Sequence, residues 1–278
     1  MAETAGYADV PGAGSHSGIA IEQIRIVSPS LGFVPQDFTI CAVADLHAGV
    51  RVGGDRAVEG LVDDILSLRP DMICLLGDMV HRAHDASRYL PMLQRLEAPK
   101  GVYAVLGNHE HGVLWYSPLL GKPSSKGVNE WREIYSEIGI EVLVNEARRI
   151  ECGRTYFWLL GVDDYYSGHD DLQAALSQVE GEEFRLVITH HPDLIDDSYA
   201  GDIDCILAGH THGSQVNLPL IGPLYTSTRK PRARASGLMG ENGTLMYVTR
   251  GVGEGIPLRL WCPREITLVR LAGDGECG

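Results

Sequence analysis

Five apolar runs of this chain stop on the same few residue types, and no other feature constrains its fold as much. FTICAVAD (38–45), DMICLLGD (71–78), GVYAVLGNH (101–109), FRLVITHH (184–191) and DCILAGHTH (204–212) each read as a short buried strand that ends in Asp, Asn or His. Stretches of helical periodicity lie between several of them: Arg56–Leu68 before Pro70, Ala86–Leu96 before Pro99, Asn129–Ile138 before Gly139 and Asp170–Val179 before Gly181. Strands alternating with helices predict an α/β layered fold. Ile19–Val27 alternates like an edge strand, and Thr155–Val162, Thr244–Thr249 and Ile266–Leu271 are expected to form a second sheet packed on the first. Residues 1–18, rich in Gly, Ala and Ser, read as a flexible tail, leaving residues 19–278 for a single domain.

The strand ends offer Asp45 with His47, Asp78, Asn108 with His109, His190 or His191, and His210 with His212. A single Asp or Asn after a strand is ordinarily a turn former, and a lone His an ordinary polar residue; His16, His81, His84, His111 and His169 are read that way, with His111 and His191 open because they border the motifs. Turn chemistry gives no reason for five strand ends to choose metal-binding residue types together. Loops at the carboxyl ends of strands form the crevice of α/β sheets, where residues distant in sequence meet. Asp45 and His47 are two apart, as are His210 and His212, and in extended backbone that spacing aims both side chains one way. Carboxylate, imidazole and amide ligands suit manganese, iron or zinc. Gly77, Gly107, Gly161 and Gly209 allow close backbone approach at the strand ends.

Composition narrows the partners. A formal net charge of −14 argues against a nucleic-acid-coating surface, and 44% hydrophobic residues are ample for a core. The six cysteines are scattered singly and read as small buried hydrophobes of a reducing compartment. With neither an export signal nor an apolar span of about 18 residues, a cytoplasmic protein is expected, with peripheral contact at a membrane allowed by its apolar segments. Those segments are Val113–Tyr116 with Leu119 and Leu120, and Ile256–Leu258 with Leu260 and Trp261; Arg229, Lys230, Arg232 and Arg234 form the one dense basic cluster.

The ordered set DLH (45–47), GD (77–78), GNHE (107–110), His190 and GHTH (209–212) resembles the calcineurin-like metallophosphoesterase superfamily over roughly 40–271. The resemblance implies a four-layer αββα sandwich of two mixed β-sheets flanked by helices. It implies two divalent cations, manganese first with iron or zinc as alternatives: Asp45, His47, Asp78 and His212 around one, and Asp78, Asn108, His190 and His210 around the other. His190 is preferred to His191 because related bacterial members often carry His followed by Asn, Pro and Asp there. His109 is implied as the catalytic proton donor, with a nearby carboxylate orienting its ring. GHTHGSQ together with VTRGVGEGIPLRLWCPREITLVRL is similar to a bacterial branch that includes cell-envelope phosphodiesterases and a UDP-2,3-diacylglucosamine pyrophosphatase, with Ser214 departing from the branch's usual Gly. The expected activity is thus a phosphodiesterase or pyrophosphatase using metal-activated water, on a phosphate-ester substrate that is lipid-linked, and so amphiphilic, or nucleotide-linked. A phosphoprotein phosphatase and a catalytically idle metal-binding scaffold are the alternatives. The sequence sets no oligomeric state.

Overall fold

The computed structural model describes residues 17–32, 38–50, 54–113, 125–196, 202–229, 235–241, 243–255 and 258–273. Two six-stranded sheets organise them. In the first, β1 (Ala20–Val27) lies at one edge, followed by β14 (Glu265–Ala272), β2 (Phe38–Val43), β3 (Met72–Leu76), β4 (Val102–Val105) and β5 (Glu141–Val142). Every neighbouring pair is parallel except β14 with β2. The second sheet runs β12 (Gly237–Glu241), β13 (Thr244–Val248), β9 (Cys205–Ala208), β8 (Arg185–Ile188), β7 (Thr155–Gly161) and β6 (Glu146–Cys152). Its four inner strands are parallel and its two edge strands antiparallel to their neighbours. A short ribbon pairs β10 (Asn217–Leu218) with β11 (Gly222–Pro223).

Period-two alternation inside the apolar runs sorts each side chain into a layer. Cys41, Val43, Ile73 and Leu75 face outward and pack under α1 (Asp55–Ser67) and α3 (Val128–Ser136), through Val58, Leu61, Ile65, Trp131 and Tyr135. Ile40, Ala42, Met72 and Cys74 face inward against Phe157, Leu159, Leu186 and Leu207 of the second sheet. The outer face of that sheet, Leu160, Val187 and Ile206, is covered by Leu172 and Ala175 of α4 (Leu172–Leu176) and by Leu194 and Ile195. The order helix, sheet, sheet, helix is the four-layer sandwich that the resemblance implied. Strands covered on both faces have no polar side, which is why they read as unbroken apolar runs.

Three expectations change. Ile266–Leu271 belongs to the first sheet, not the second: β14 inserts between β1 and β2, with seven of its eight residues buried. Its composition marks an interior strand but carries nothing that says which sheet it enters. The helix expected over 86–96 is α-helical only in α2 (Ala86–Tyr89) and tightens to a 3₁₀ helix over Leu90–Arg95. Pro91 has no N–H to give Ser87 and its ring crowds that carbonyl. β6 was not expected, because Ile150 and Cys152 face the inner layer while Ala147 packs on the outer one, and the charged Arg148, Arg149 and Glu151 among them leave no continuous alternation to read. Of the cysteines, Cys41, Cys74, Cys152, Cys205 and Cys262 are buried and unpaired, and burial pushes the Cys41 thiol up to about 12. Cys277 lies outside the described residues, as do residues 1–16 of the expected tail. Among the described residues, no helix is long and apolar enough to cross a membrane.

Candidate dinuclear metal centre

β2, β3 and β4 of the first sheet and β8 and β9 of the second end along one rim, and the loops that follow bring Asp45, His47, Asp78, Asn108, His109, His190, His210 and His212 together there. The backbone route differs from the extended one read from the two-residue spacings. Asp45 (φ 57°), His47 (φ 45°), Asp78 (φ 54°), His210 (φ 70°) and His212 (φ 52°) all adopt the left-handed conformation, which L-residues with side chains rarely take. Strain of this kind persists where surrounding structure imposes it, and here it falls on five of the seven proposed ligands. The loops can cross so tightly because of two glycines. A Cβ on Gly77 would stand 2.8 Å from His190 Nδ1, and one on Gly107 would stand 2.2 Å from Asp78 Oδ1. Gly209 likewise abuts Asp45, whereas Gly161 packs on Leu143 away from the site.

One half of the cluster is built from Asn108, His190 and His210. His190 Nδ1 donates to the Leu76 carbonyl (2.8 Å) and His210 Nε2 to the Ser227 carbonyl (3.1 Å), because a carbonyl can only accept. The remaining nitrogens, His190 Nε2 and His210 Nδ1, then face each other at 3.1 Å. Asn108 Oδ1 lies 3.2 and 3.0 Å from them, its amide held by donation from Nδ2 to the Val113 carbonyl (2.6 Å). Three potential ligand atoms thus converge. His191 stays outside: its Nδ1 accepts from Asp193 N and its Nε2 donates to Ser227 O.

The other half is Asp45, His47 and His212. The Nε2 atoms of the two rings are 3.0 Å apart, and Asp45 Oδ1 is 3.9 and 3.7 Å from them. Asp45 Oδ2 accepts from His210 N, while the buried Oδ1 has no hydrogen-bond partner. Between the halves stands Asp78: Oδ1 accepts from His109 N, and Oδ2 is 3.3 Å from His190 Nε2 and 3.8 Å from His47 Nε2. Asp45, His47 and His212, and likewise Asp45, Asp78 and His190, bring one donor atom each to within 4.8 Å of one another. His47, His81 and His109 do the same; this set shares His47 with the first, which shares Asp45 with the second.

The protonation pattern fits cations. Burial lowers the pKa of His47 and His210 well below the usual imidazole range, helped by neighbouring imidazoles, and lowers His212 to about 3, helped by Arg259. These rings are neutral at pH 7, with lone pairs available. Burial would also lower His190, but the Asp78 carboxylate beside it holds it well above the usual range. A proton on His190 Nε2 bridges it to the acceptors around it, and a divalent cation can replace that proton. Burial meanwhile pushes Asp45 up to about 7, the mark of a carboxylate lacking a compensating charge. The donor set, the orphaned Asp45 oxygen and the neutral imidazoles therefore fit divalent cations.

His109 sits at the edge of this cluster. Its Nδ1 donates to the His81 carbonyl (2.8 Å), so its Nε2, 3.8 Å from Asp78 Oδ2, is the atom free for proton exchange. A carboxylate was expected to orient this ring; a backbone carbonyl does so.

Sequence reasoning assigned no role to Glu110, which the structure shows to be a hub. Its fully buried carboxylate accepts from Gly107 N, Asp78 N and Met79 N at 2.9 Å, while its carbonyl accepts from the Trp131 indole at 3.0 Å. The acidic last residue of GNHE was the available signal. Also passed over was the buried His111–Asp163 pair (2.8 Å), which ties the loop after β4 to the loop after β7. A cleft of about 290 Å³ opens beside His47, lined among others by Leu46, Val50, Leu61, Val252, Arg56 and Arg264. Of the apolar and basic segments singled out in the sequence, Leu114, Trp115, Tyr116, Leu119, Leu120, Lys230, Arg232, Arg234, Ile256 and Pro257 lie outside the described residues.

Comparison with known proteins decides the family. The calcineurin-like phosphoesterase family profile matches residues 38–214, which span every candidate ligand. The chain is a calcineurin-like phosphoesterase. This phosphoesterase is 32% identical to phosphodiesterase YaeI of Escherichia coli, over 84% of its own length and 82% of that protein. It is 28% identical to the uncharacterized metallophosphoesterase YkuE of Bacillus subtilis, over 84% and 79%. Among solved structures, the phosphopantetheinyl hydrolase PptH of Mycobacterium tuberculosis superposes with a TM-score of 0.51 at 15% identity, covering 81% of this chain and 92% of that one, a likeness of fold. The family works through a dinuclear divalent metal site, and its members make this phosphoesterase a metal-dependent phosphoester hydrolase.

Proposed function

We propose that this phosphoesterase is a phosphodiesterase. The observation that carries the reading is the pair of acceptor clusters sharing Asp78, one carboxylate between two sets of neutral or cation-displaceable imidazoles. Asp45, His47, Asp78 and His212 would hold one divalent cation, and Asp78, Asn108, His190 and His210 the other. Bound there, the pair would supply positive charge at the phosphoryl oxygens and lower the pKa of the attacking water. Asp78, shared between them, offsets their mutual repulsion.

The chain's own groups do the rest. As water gives up a proton to solvent and adds to phosphorus, and the P–O ester bond breaks, the departing oxygen would take a proton from Nε2 of His109 in its imidazolium form, whose Nδ1–H is held by the His81 carbonyl, and the ring would regain that proton from solvent. Glu110 fixes the backbone at Gly107, Asp78 and Met79, so that Asp78 and Asn108 keep their places without moving during the reaction. The cleft beside His47 gives one ester arm a partly apolar wall, which favours a diester, and the similarity to phosphodiesterase YaeI supports the same choice.

The test is hydrolysis of bis(p-nitrophenyl) phosphate against p-nitrophenyl phosphate, with manganese, iron, zinc or chelator present. Metal-dependent turnover with diester preference is expected. Preference for the monoester would turn the assignment toward a phosphatase, and failure on both, with a pyrophosphate diester added to the panel, would leave a metal-binding scaffold.

A further inference from the structure

Among the described residues, the most exposed apolar side chains do not belong to the site. Leu220 (108% exposed) and Ile221 (65%) form the tip of the β10–β11 ribbon, with Leu224 and Tyr225 on its return side. Leu258, Leu260 and Trp261 (62% exposed) lie on the neighbouring segment. The two are one platform: Asn217 N donates to Leu260 O (2.9 Å), Leu260 N to Gln215 O (2.8 Å), and Gln215 Nε2 to Leu258 O (3.0 Å).

Neither burial nor backbone preference explains these residue types. Leu220 (φ 68°) and Trp261 (φ 51°) both occupy left-handed backbone, where Gly or Asn is the usual choice. A large apolar side chain at such a position is unfavourable twice over, once for its backbone and once for its exposure to water. A surface that gains from Leu and Trp there would offset both. The residue types of the platform and the charges beside it say which surface. Leu220 and Ile221 stand fully or largely exposed at the ribbon's turn, and Tyr225 and Trp261 expose aromatic rings on the same platform, residue types that suit aliphatic entry into acyl chains and aromatic rings at headgroup level. In a chain of net charge −14, Arg229 is exposed four residues past Tyr225, and Lys230, Arg232 and Arg234 follow it in sequence, although their structure lies outside the described residues. The platform also starts at the proposed centre: Gln215 is three residues past His212, and Ser227, two residues before Arg229, accepts from His210.

We propose that the 217–225 ribbon and the 258–261 segment form a membrane-docking platform that seats on a phospholipid surface and brings the rim of the centre to it. The proposal extends the phosphodiesterase reading toward amphiphilic substrates, but its test does not depend on turnover. Full-length protein is sedimented with vesicles of phosphatidylcholine and phosphatidylglycerol, and the emission of its four tryptophans is followed with brominated lipid in the same vesicles. The parent protein is expected to co-sediment. L220S/I221S should lower partitioning by roughly 100-fold, since each aliphatic side chain loses its apolar burial, while hydrolysis of a short soluble diester stays unchanged. Bromine quenching should disappear in W261F. Equal sedimentation of parent and L220S/I221S overturns the proposal, as does quenching that persists in W261F. So does a parent that ignores the vesicles, or one that self-associates in solution through a contact which L220S/I221S abolishes, since that would assign the platform to a second copy of the chain.

Discussion

The two halves of the proposed centre are built differently. In the Asn108, His190 and His210 half, backbone carbonyls of Leu76 and Ser227 fix both imidazole tautomers, and Val113 fixes the amide. In the Asp45, His47 and His212 half, the Nδ1 atoms of both rings are buried without hydrogen-bond partners among the described residues, and so is Asp45 Oδ1. One half is pre-organised by its surroundings; the other would be organised by what it binds. Groups that orient ligand imidazoles contribute about 10–100-fold to metal affinity, so the two halves should hold cations of unequal tightness.

The largest expected effect removes the residue common to both halves. Asp78→Ala should reduce diester hydrolysis to background, a loss above roughly 10⁴-fold, because both cations lose their shared ligand. Steady-state assays at saturating manganese check this, and turnover within tenfold of the parent would break the shared-ligand account. His109→Ala should keep both metals and lose about 10²–10⁴-fold on alkyl diesters, but much less on nitrophenyl esters, whose leaving group needs little help from a proton. Equal losses on both substrates would mean that His109 acts only through its charge.

Sharpening the comparison takes smaller perturbations. His190→Ala should abolish the tighter of two metal-binding steps and His212→Ala the weaker, as read by calorimetric titration; the reverse order would show that fixed tautomers do not govern affinity here. Glu110→Gln should cost roughly 10–100-fold in activity through misplacement of Asp78, with a fold intact by circular dichroism.

How much of this was legible depended on whether a residue acts through its type or through its surroundings. The ligand types stood out because Asp, Asn and His after apolar runs are conspicuous, and the five interior strands because burial on both faces leaves no polar positions. β14 was visible as a strand, but its sheet depends on long-range pairing with Ala42 and its neighbours, which composition does not encode. The spacing of Asp45 and His47 led to one shared position by the wrong route, since left-handed backbone rather than extended strand aims them. The orienting of His109 was beyond reach for a simple reason: a backbone carbonyl has no residue type. His111 looked like an ordinary polar residue because its partner Asp163 lies 52 positions away.

That last pair carries the smallest prediction. Burial lowers the His111 pKa, but the hydrogen bond and charge of Asp163 outweigh it and raise the value above the usual range. A raised folded-state value means that the pair's contribution is complete below the unfolded pKa of about 6.5 and fades as pH rises through the folded one. Asp163→Asn should therefore cost about 1–3 kcal/mol in urea unfolding below pH 6 and less in alkaline buffer. A cost that does not change with pH would show a neutral hydrogen bond instead.

The central claim is that Asp78 joins two cation sites into one centre, and counting bound metal tests it most directly. Apo-protein and its Asp78→Ala variant are titrated with Mn²⁺ while free ion is read by electron paramagnetic resonance. The account predicts two ions per parent chain, bound in a tight and a weaker step, with both steps lost or strongly weakened in the variant. A parent that binds one ion, or an Asp78→Ala variant that still fills two sites at the parent's affinities, would contradict it.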